Sequence, residues 1–331
     1  MSPRTTLAGD WHAGDVLDHH WTRRGVLLAA AAGALAACTP DTERDPGGET
    51  GDEAGAGGQG AGVPSRLPDG PDVAGELAAV EQRFGGRLGV YAVDTGSGAL
   101  VQHRQRERFL MASTAKLPIV AATLGRGVPL DRSVPVRQED VLEYAPVTQE
   151  RAGGVMTVAE LCEAAMTRSD NTAANLLTAQ VGGPAEVTGF LREKGDRVTR
   201  LDRWEPELNV RDTRLDTTTP AAMADLTRRL LFDGGLDRAA REQLTGWLRG
   251  NTTGDDRIRA GLPPAWQVGD KTGTGAHGEI NDVAVAWPPD RAPVVVAVYT
   301  SPRGARATEE AGATALVEAA RAVAGAFGGR R

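Results

Sequence analysis

The strand-forming segments of this chain sit at the two ends of its folding part, with helix-forming segments between them, and that arrangement restricts the possible folds severely. Near one end, RLGVYAVDTGSGALVQHR (87–104) reads as two strands around an Asp-Thr-Gly-Ser-Gly turn. Near the other, VAVAW (283–287) and PVVVAVYT (293–300) flank the turn PPDRA, and an Ala-rich helix follows from about Glu309 to Ala324. Helical patterns fill 113–125, 157–166, 171–180, 184–194, 220–232 and 237–249; TVAEL opens one of them with a Thr cap and Glu160 three residues later. The two ends must pair with each other. The expected fold is α+β, an antiparallel sheet from both chain ends flanked by helices, with an inserted all-helical lobe. The α/β lobe should span about 73–110 and 253–331 and the helical lobe about 111–252, with a cleft between them as the natural place for a site. At 331 residues and 40% hydrophobic content, the chain can build a core of that size.

Residues 1–72 belong to neither lobe. TRRGVLLAAAAGALAAC (22–38) pairs Arg23 and Arg24 with an apolar run of about a dozen residues, too short to span a bilayer. This is the pattern of an exported signal peptide with a twin-arginine signature, residues 1–38. Leu35-Ala36-Ala37-Cys38 is similar to a lipobox, in which Cys38 would carry a lipid anchor; ordinary cleavage at Ala-Leu-Ala would instead release a soluble protein. Residues 39–72 are Gly-, Pro- and acid-rich, the composition of a disordered tether. With eight acidic and two basic residues, the tether carries most of the net charge of −7. The folding part is near neutral and has no basic nucleic-acid footprint. Cys162, on the apolar side of a helical pattern, reads as a small buried hydrophobe, and no structural disulfide is expected.

Of 37 basic residues only Lys116, Lys194 and Lys271 are lysines. Lys116 follows Ser113 by three residues in FLMASTAKLPIV (109–120). Arginine cannot release its proton in a protein, whereas a buried lysine can, so a lysine one helical turn beyond a serine can serve as a base. Alone, this pattern reads as a capping serine with a solvated lysine. Three further motifs follow: Ser169-Asp170-Asn171, Glu205 with Asn209 in RWEPELN, and Lys271-Thr272-Gly273. Singly, SDN is a helix cap and a loop glutamate is a surface charge. Together, in order and at domain-scale spacing, with two of the three lysines inside them, they form a constellation.

With VLEYAPVT (141–148), SDNTAANLL (169–177), VGGP (181–184) and VTRLDRWEPELN (198–209), these motifs resemble the class A serine β-lactamases over residues 75–327. The resemblance implies hydrolysis of the β-lactam amide of penicillin- or cephalosporin-type antibiotics through an acyl-serine, conferring resistance. Such chemistry needs a nucleophile, a proton acceptor, a proton donor and oxyanion stabilisation. By resemblance, Ser113 is the nucleophile, Lys116 its partner, and Ser169 the relay to the leaving nitrogen. Glu205 activates the deacylating water and Asn209 helps hold it. Asn171 binds the substrate amide, Lys271 stands where the family places a cation beside the substrate carboxylate, and Thr272 and Thr274, on either side of Gly273, are the hydroxyl donors of the edge strand. The N–H groups of Ser113 and Thr274 form the oxyanion hole. Arg203 and Asp216 match the pair that closes the Ω-shaped loop around Glu205, read here as an exposed pair that sets loop geometry.

The stretch after Lys271-Thr272-Gly273 has no arginine, and Arg257 in DRIRAGLP stands where other family members place their carboxylate-binding cation. Pro118, in the second turn of the helix that follows Ser113, should produce a local irregularity. Tyr144 resembles the aromatic wall of the entrance, and His277 sits at the expected rim. No metal or other cofactor is expected, because the histidines and cysteines show no metal-ligand spacing. A D-Ala-D-Ala peptidase and a non-catalytic tethered receptor remain as competing readings; Glu205 with Asn209 favours the hydrolase. The expected partners are a small-molecule β-lactam and, through Cys38, the outer face of the cell membrane, with no nucleic acid and a monomeric state.

Overall fold

Alternate residues of the central strands point to two separate cores. The computed structural model of the protein describes residues 72–303 and 308–328. The expectations for the signal peptide, for Cys38 and for the tether as far as residue 71 lie outside the described residues. Strand β1 (Gly86–Asp94) follows helix α1 (Val73–Phe84) and turns into β2 (Leu100–His103) through Asp94, whose Oδ1 accepts the N–H groups of Gly96 and Ser97. The three closing strands are β7 (Gln267–Thr274), β8 (Ile280–Trp287) and β9 (Val294–Pro302), with β3 to β6 and α2 to α8 lying earlier in the chain. They form one antiparallel sheet in the order β2-β1-β9-β8-β7, with Val90 opposite Val298 and Ala284 opposite Val296. The two ends of the folding part thus meet at the β1–β9 pair, as the strand distribution requires.

Leu88, Val90, Ala92, Val294, Val296 and Val298 face a core closed by α1 and α9 (Glu309–Gly328). Tyr91, Val93, Val295, Ala297 and Tyr299 face the other core, which continues into the helical lobe. Coverage on both faces explains why PVVVAVYT is a continuous apolar run instead of an alternating one.

The helical part comprises α2 (Lys116–Gly125), α3 (Val158–Thr167), α4 (Asn171–Val181), α5 (Pro184–Glu193), α6 (Pro220–Leu231) and α7 (Arg238–Arg249), with the short α8 (Ile258–Gly261) leading back to the sheet. The capping box at Thr157 and Glu160 is present. Two small ribbons were not foreseen: β3 (Phe109–Leu110) pairs with β6 (Thr217–Thr218), and β4 (Ser133–Val136) with β5 (Gly154–Thr157). Ser113 does not lie on α2, as the helical pattern 113–125 implied. It sits in a 3-10 turn, Ala112–Ala115, entered through Ala112 at φ +46°. Pro118 is consequently the third residue of α2, where its missing N–H is one that any helix start leaves unpaired. Cys162 is buried and free, its thiol pushed up to about 12 by desolvation.

Candidate active site

The turn bearing Ser113 is held by the sheet as well as by the chain around it. Thr114 Oγ1 donates to Met111 O (2.8 Å) and meets the Tyr299 hydroxyl of β9 at 3.0 Å. Asn281 of β8 donates through Nδ2 to Leu110 O (2.9 Å) and Met111 O (3.3 Å). Gly273 lets β7 come this close: a Cβ there would fall 2.8 Å from Met111 O and 3.0 Å from Thr114 N, both backbone atoms. The glycine of Lys271-Thr272-Gly273 is therefore a spacing device between the edge strand and the Ser113 turn.

Lys116, fully buried, donates from Nζ to Ser113 Oγ (2.6 Å), Asn171 Oδ1 (2.8 Å) and Glu205 Oε1 (2.5 Å). One side chain joins three of the four motifs. The other oxygen of Glu205 accepts from Asn209 Nδ2, and Asn209 Oδ1, buried, has no partner among the described residues. The Glu205–Pro206 peptide is cis. Asn175 clamps the Glu205 backbone from both sides, donating to its carbonyl (2.8 Å) and accepting from its N–H (2.9 Å).

Asp170 caps α4 at Ala173 N and also accepts the N–H groups of Val147 and Thr148, each at 2.9 Å, so it ties the Tyr144 loop to the site. Ser169 just before it stands at φ +57°, a conformation uncommon for a side chain with a Cβ and one that clusters at functional sites.

Lys271 is fully buried and lies behind Ser169, not on the cleft surface; its Nζ donates to Ser169 Oγ (3.1 Å) and Thr272 O (2.9 Å). Burial first, and the charge of Lys116 second, push the Lys271 amine well below the ordinary lysine range. Arg257 donates to Gly273 O (2.8 Å), Asn281 O (2.9 Å) and Thr274 Oγ1 (2.8 Å), so it is aimed along β7 and is not a solvated arginine. Thr272 Oγ1 meets Thr253 Oγ1 at 2.5 Å.

Ser113, Ser169, Asn171, Asn209, Arg257, Thr272, Gly273 and Thr274 open on one cleft of about 610 Å³, with Tyr144 half-exposed on its wall beside Pro206 and Val210. Lys116, Glu205 and Lys271 lie buried next to these residues. His277 is exposed, outside the cleft lining, and its N–H donates to Glu279 Oε2 (3.1 Å). Arg203 and Asp216 are paired, Nε to Oδ2 at 2.5 Å, but the reading of an exposed pair is corrected: Asp216 is fully buried, and it also accepts the N–H groups of Asp202 (2.7 Å) and Arg203 (2.9 Å). Sequence reasoning did not single out Asn175, Asn281 or Tyr299, and it gave Asp170 only as part of a capping motif; all four hold the site in shape.

The family model described as the Beta-lactamase enzyme family matches residues 72–327. The chain is 52% identical over 255 residues to the β-lactamase FAR-1 of Nocardia farcinica, covering 75% of this chain and 80% of that one. It is 44% identical over 321 residues to a β-lactamase of Streptomyces albus G, covering 93% and 98%. Among solved structures, the class A β-lactamase from Mycobacterium abscessus matches with a TM-score of 0.75 and 52% identity, covering 77% of this chain and 99% of its own. The chain therefore belongs to the β-lactamase enzyme family, in its class A serine branch.

Proposed function

We propose that the protein hydrolyses the lactam amide of penicillin- and cephalosporin-type antibiotics through an acyl-Ser113 intermediate, and so confers resistance to them. The observation that carries this reading is the position of Lys116 Nζ, in hydrogen-bond contact at once with Ser113, Asn171 and Glu205. In acylation the Ser113 oxygen attacks the lactam carbonyl carbon and its proton passes to Glu205 through a water, or to Lys116 once that amine has given one of its own protons to Glu205 across their contact. The carbon–nitrogen bond breaks and the nitrogen takes a proton from Ser169. Ser169 is reprotonated across its contact with Lys271, and the proton taken from Ser113 returns to Lys271 through solvent, which closes the count. The N–H groups of Ser113 and Thr274 stabilise the oxyanion.

In deacylation a water oxygen attacks the ester carbon, Glu205 accepts the water's proton, and the Ser113 oxygen leaves and takes that proton back from Glu205 through Lys116, which contacts both. Asn209, whose Oδ1 has no partner among the described residues, orients that water. Arg257, Thr272 and Thr274 hold the substrate carboxylate, Asn171 its amide, and Tyr144 lines the entrance. The contact of Glu205 with both Lys116 and Asn209 favours a hydrolase that clears its penicilloyl ester over a peptidase that would keep it as a long-lived adduct. The test is benzylpenicillin absorbance with wild type and Ser113→Ala: turnover by the first and none by the second supports the assignment, and equal turnover refutes it.

The protein is also proposed to be exported by a twin-arginine signal (1–38), anchored by a lipid on Cys38 through the acidic tether (39–72), and active as a monomer, with lobes at about 73–110 plus 253–331 and 111–252. What supports this is the sequence pattern; among the described residues no helix is long and apolar enough to cross a membrane. Cys38→Ala should move activity from the membrane fraction to the medium, and an unchanged distribution would sink the anchor.

A further inference from the structure

Glu279 follows the β7–β8 turn, and its side chain is almost fully buried, 1% exposed. Its Oε1 accepts from Arg211 Nε, while Oε2 accepts from His277 N. A Cβ on Gly275 would fall 2.3 Å from Oε2, so the carboxylate is packed directly beneath the turn. Arg211 comes two residues after Asn209 on the Ω loop. A second link joins the same two segments, because Ala276 N donates to Asn209 O (2.9 Å). Val210 lies between these two fastening points, 44% exposed, and lines the cleft together with Gly275 and Ala276. One end of the cleft is therefore walled by two chain segments fastened to each other on either side of an apolar side chain.

The chemistry of the fastening favours a closed state. An exposed ion pair contributes little, but a buried carboxylate deprived of its cation is costly. Without the ion pair, one backbone hydrogen bond would be left of the two links. We propose that Arg211 and Glu279 form a clasp that sets the width of the cleft at its Ω-loop end. It favours substrates with compact acyl side chains over bulky ones, and through Asn209 it steadies the groups that orient the deacylating water. The inference rests on the hydrolase reading above. Both residues act through Val210 and Asn209 and touch no reacting atom, so they are positioning residues.

The experiment measures kcat and KM for wild type, Arg211→Ala, Glu279→Gln and the double variant on two substrates, benzylpenicillin and a cephalosporin with a branched oxyimino side chain. Each single variant should raise the ratio of kcat/KM, bulky over compact, by about tenfold. The rise should come from a lower KM for the bulky substrate and a lower kcat for the compact one. The double variant should go no further than the singles, because both remove the same contact. A ratio within about twofold of wild type in all three variants overturns the clasp, and so does a double variant whose shift is the product of the singles. Glu279→Gln keeps an acceptor for His277 N and carries the test if Arg211→Ala fails to fold. Failure of the hydrolase reading would show separately, as a wild type that hydrolyses neither substrate.

Discussion

Glu205 reaches Lys116 with its side chain, but its position is fixed through its backbone by Asn175, which bonds both its N–H and its carbonyl. Asn175→Ala would leave the carboxylate chemically intact and let it drift. Positional errors of this kind cost about a hundredfold per ångström, so deacylation should slow by about tenfold or more, seen as a larger burst of acyl-enzyme before steady state. An unchanged steady-state rate would mean that Pro206, Asn209 and Lys116 suffice to place Glu205. At this scale the sequence is legible where residue type states the chemistry: a lysine in an arginine-rich chain, a serine one turn before it, a glutamate four residues before an asparagine. Asn175 and Asn281 could not be read in the same way. Each is an ordinary asparagine whose partners, 30 and 171 residues away, exist only after folding.

Among the elements, β7 and the Ser113 turn depend on each other. β7 is an edge strand of the sheet, so its free side can meet the 3-10 turn, and Gly273 makes that approach possible. In Gly273→Ala the new methyl meets backbone atoms that cannot rotate away, so the strand must retreat from Ser113. Acylation measured by stopped flow should fall by about ten- to a hundredfold, with a far smaller loss in thermal stability. Wild-type acylation would show that the strand–turn spacing is not critical. The hairpin, the closing strands and most helices were readable from periodicity and turn residues. The start of α2 was not, because the left-handed Ala112 that redirects the chain carries no sequence signal of its own. The ribbons β3–β6 and β4–β5 were missed because pairs of two and four residues are stabilised by what packs around them, not by their own pattern.

For the whole molecule, pairing the two chain ends brings charge into the interior. Asp282 of β8 is fully buried beside Asp270 of β7, and burial, then the charge of Asp270, raise the Asp282 carboxyl well above the ordinary range. A carboxyl raised in the folded state binds its proton more tightly there than in the unfolded chain. Its contribution is complete below the unfolded value, about 4, and is lost as pH rises toward the folded one. Asp282→Asn, uncharged throughout, should gain in Tm relative to wild type as pH is raised from about 4 toward 8; a Tm difference that does not change with pH would contradict this. Sequence pattern foresaw the two-ended sheet. It could not foresee the stacked acids inside, because their proximity depends on strand register.

The proposed division of work within the cluster around Lys116 gives acyl-enzyme formation to Ser113 and its clearance to Glu205. Intact mass spectrometry of wild type and Glu205→Ala, mixed with benzylpenicillin and sampled from seconds to an hour, tests it directly. Wild type should consume substrate with at most a transient adduct. The variant should hold an adduct of one whole penicillin on Ser113 that persists while the substrate survives. Rapid hydrolysis by Glu205→Ala, with no adduct at any time, would contradict it.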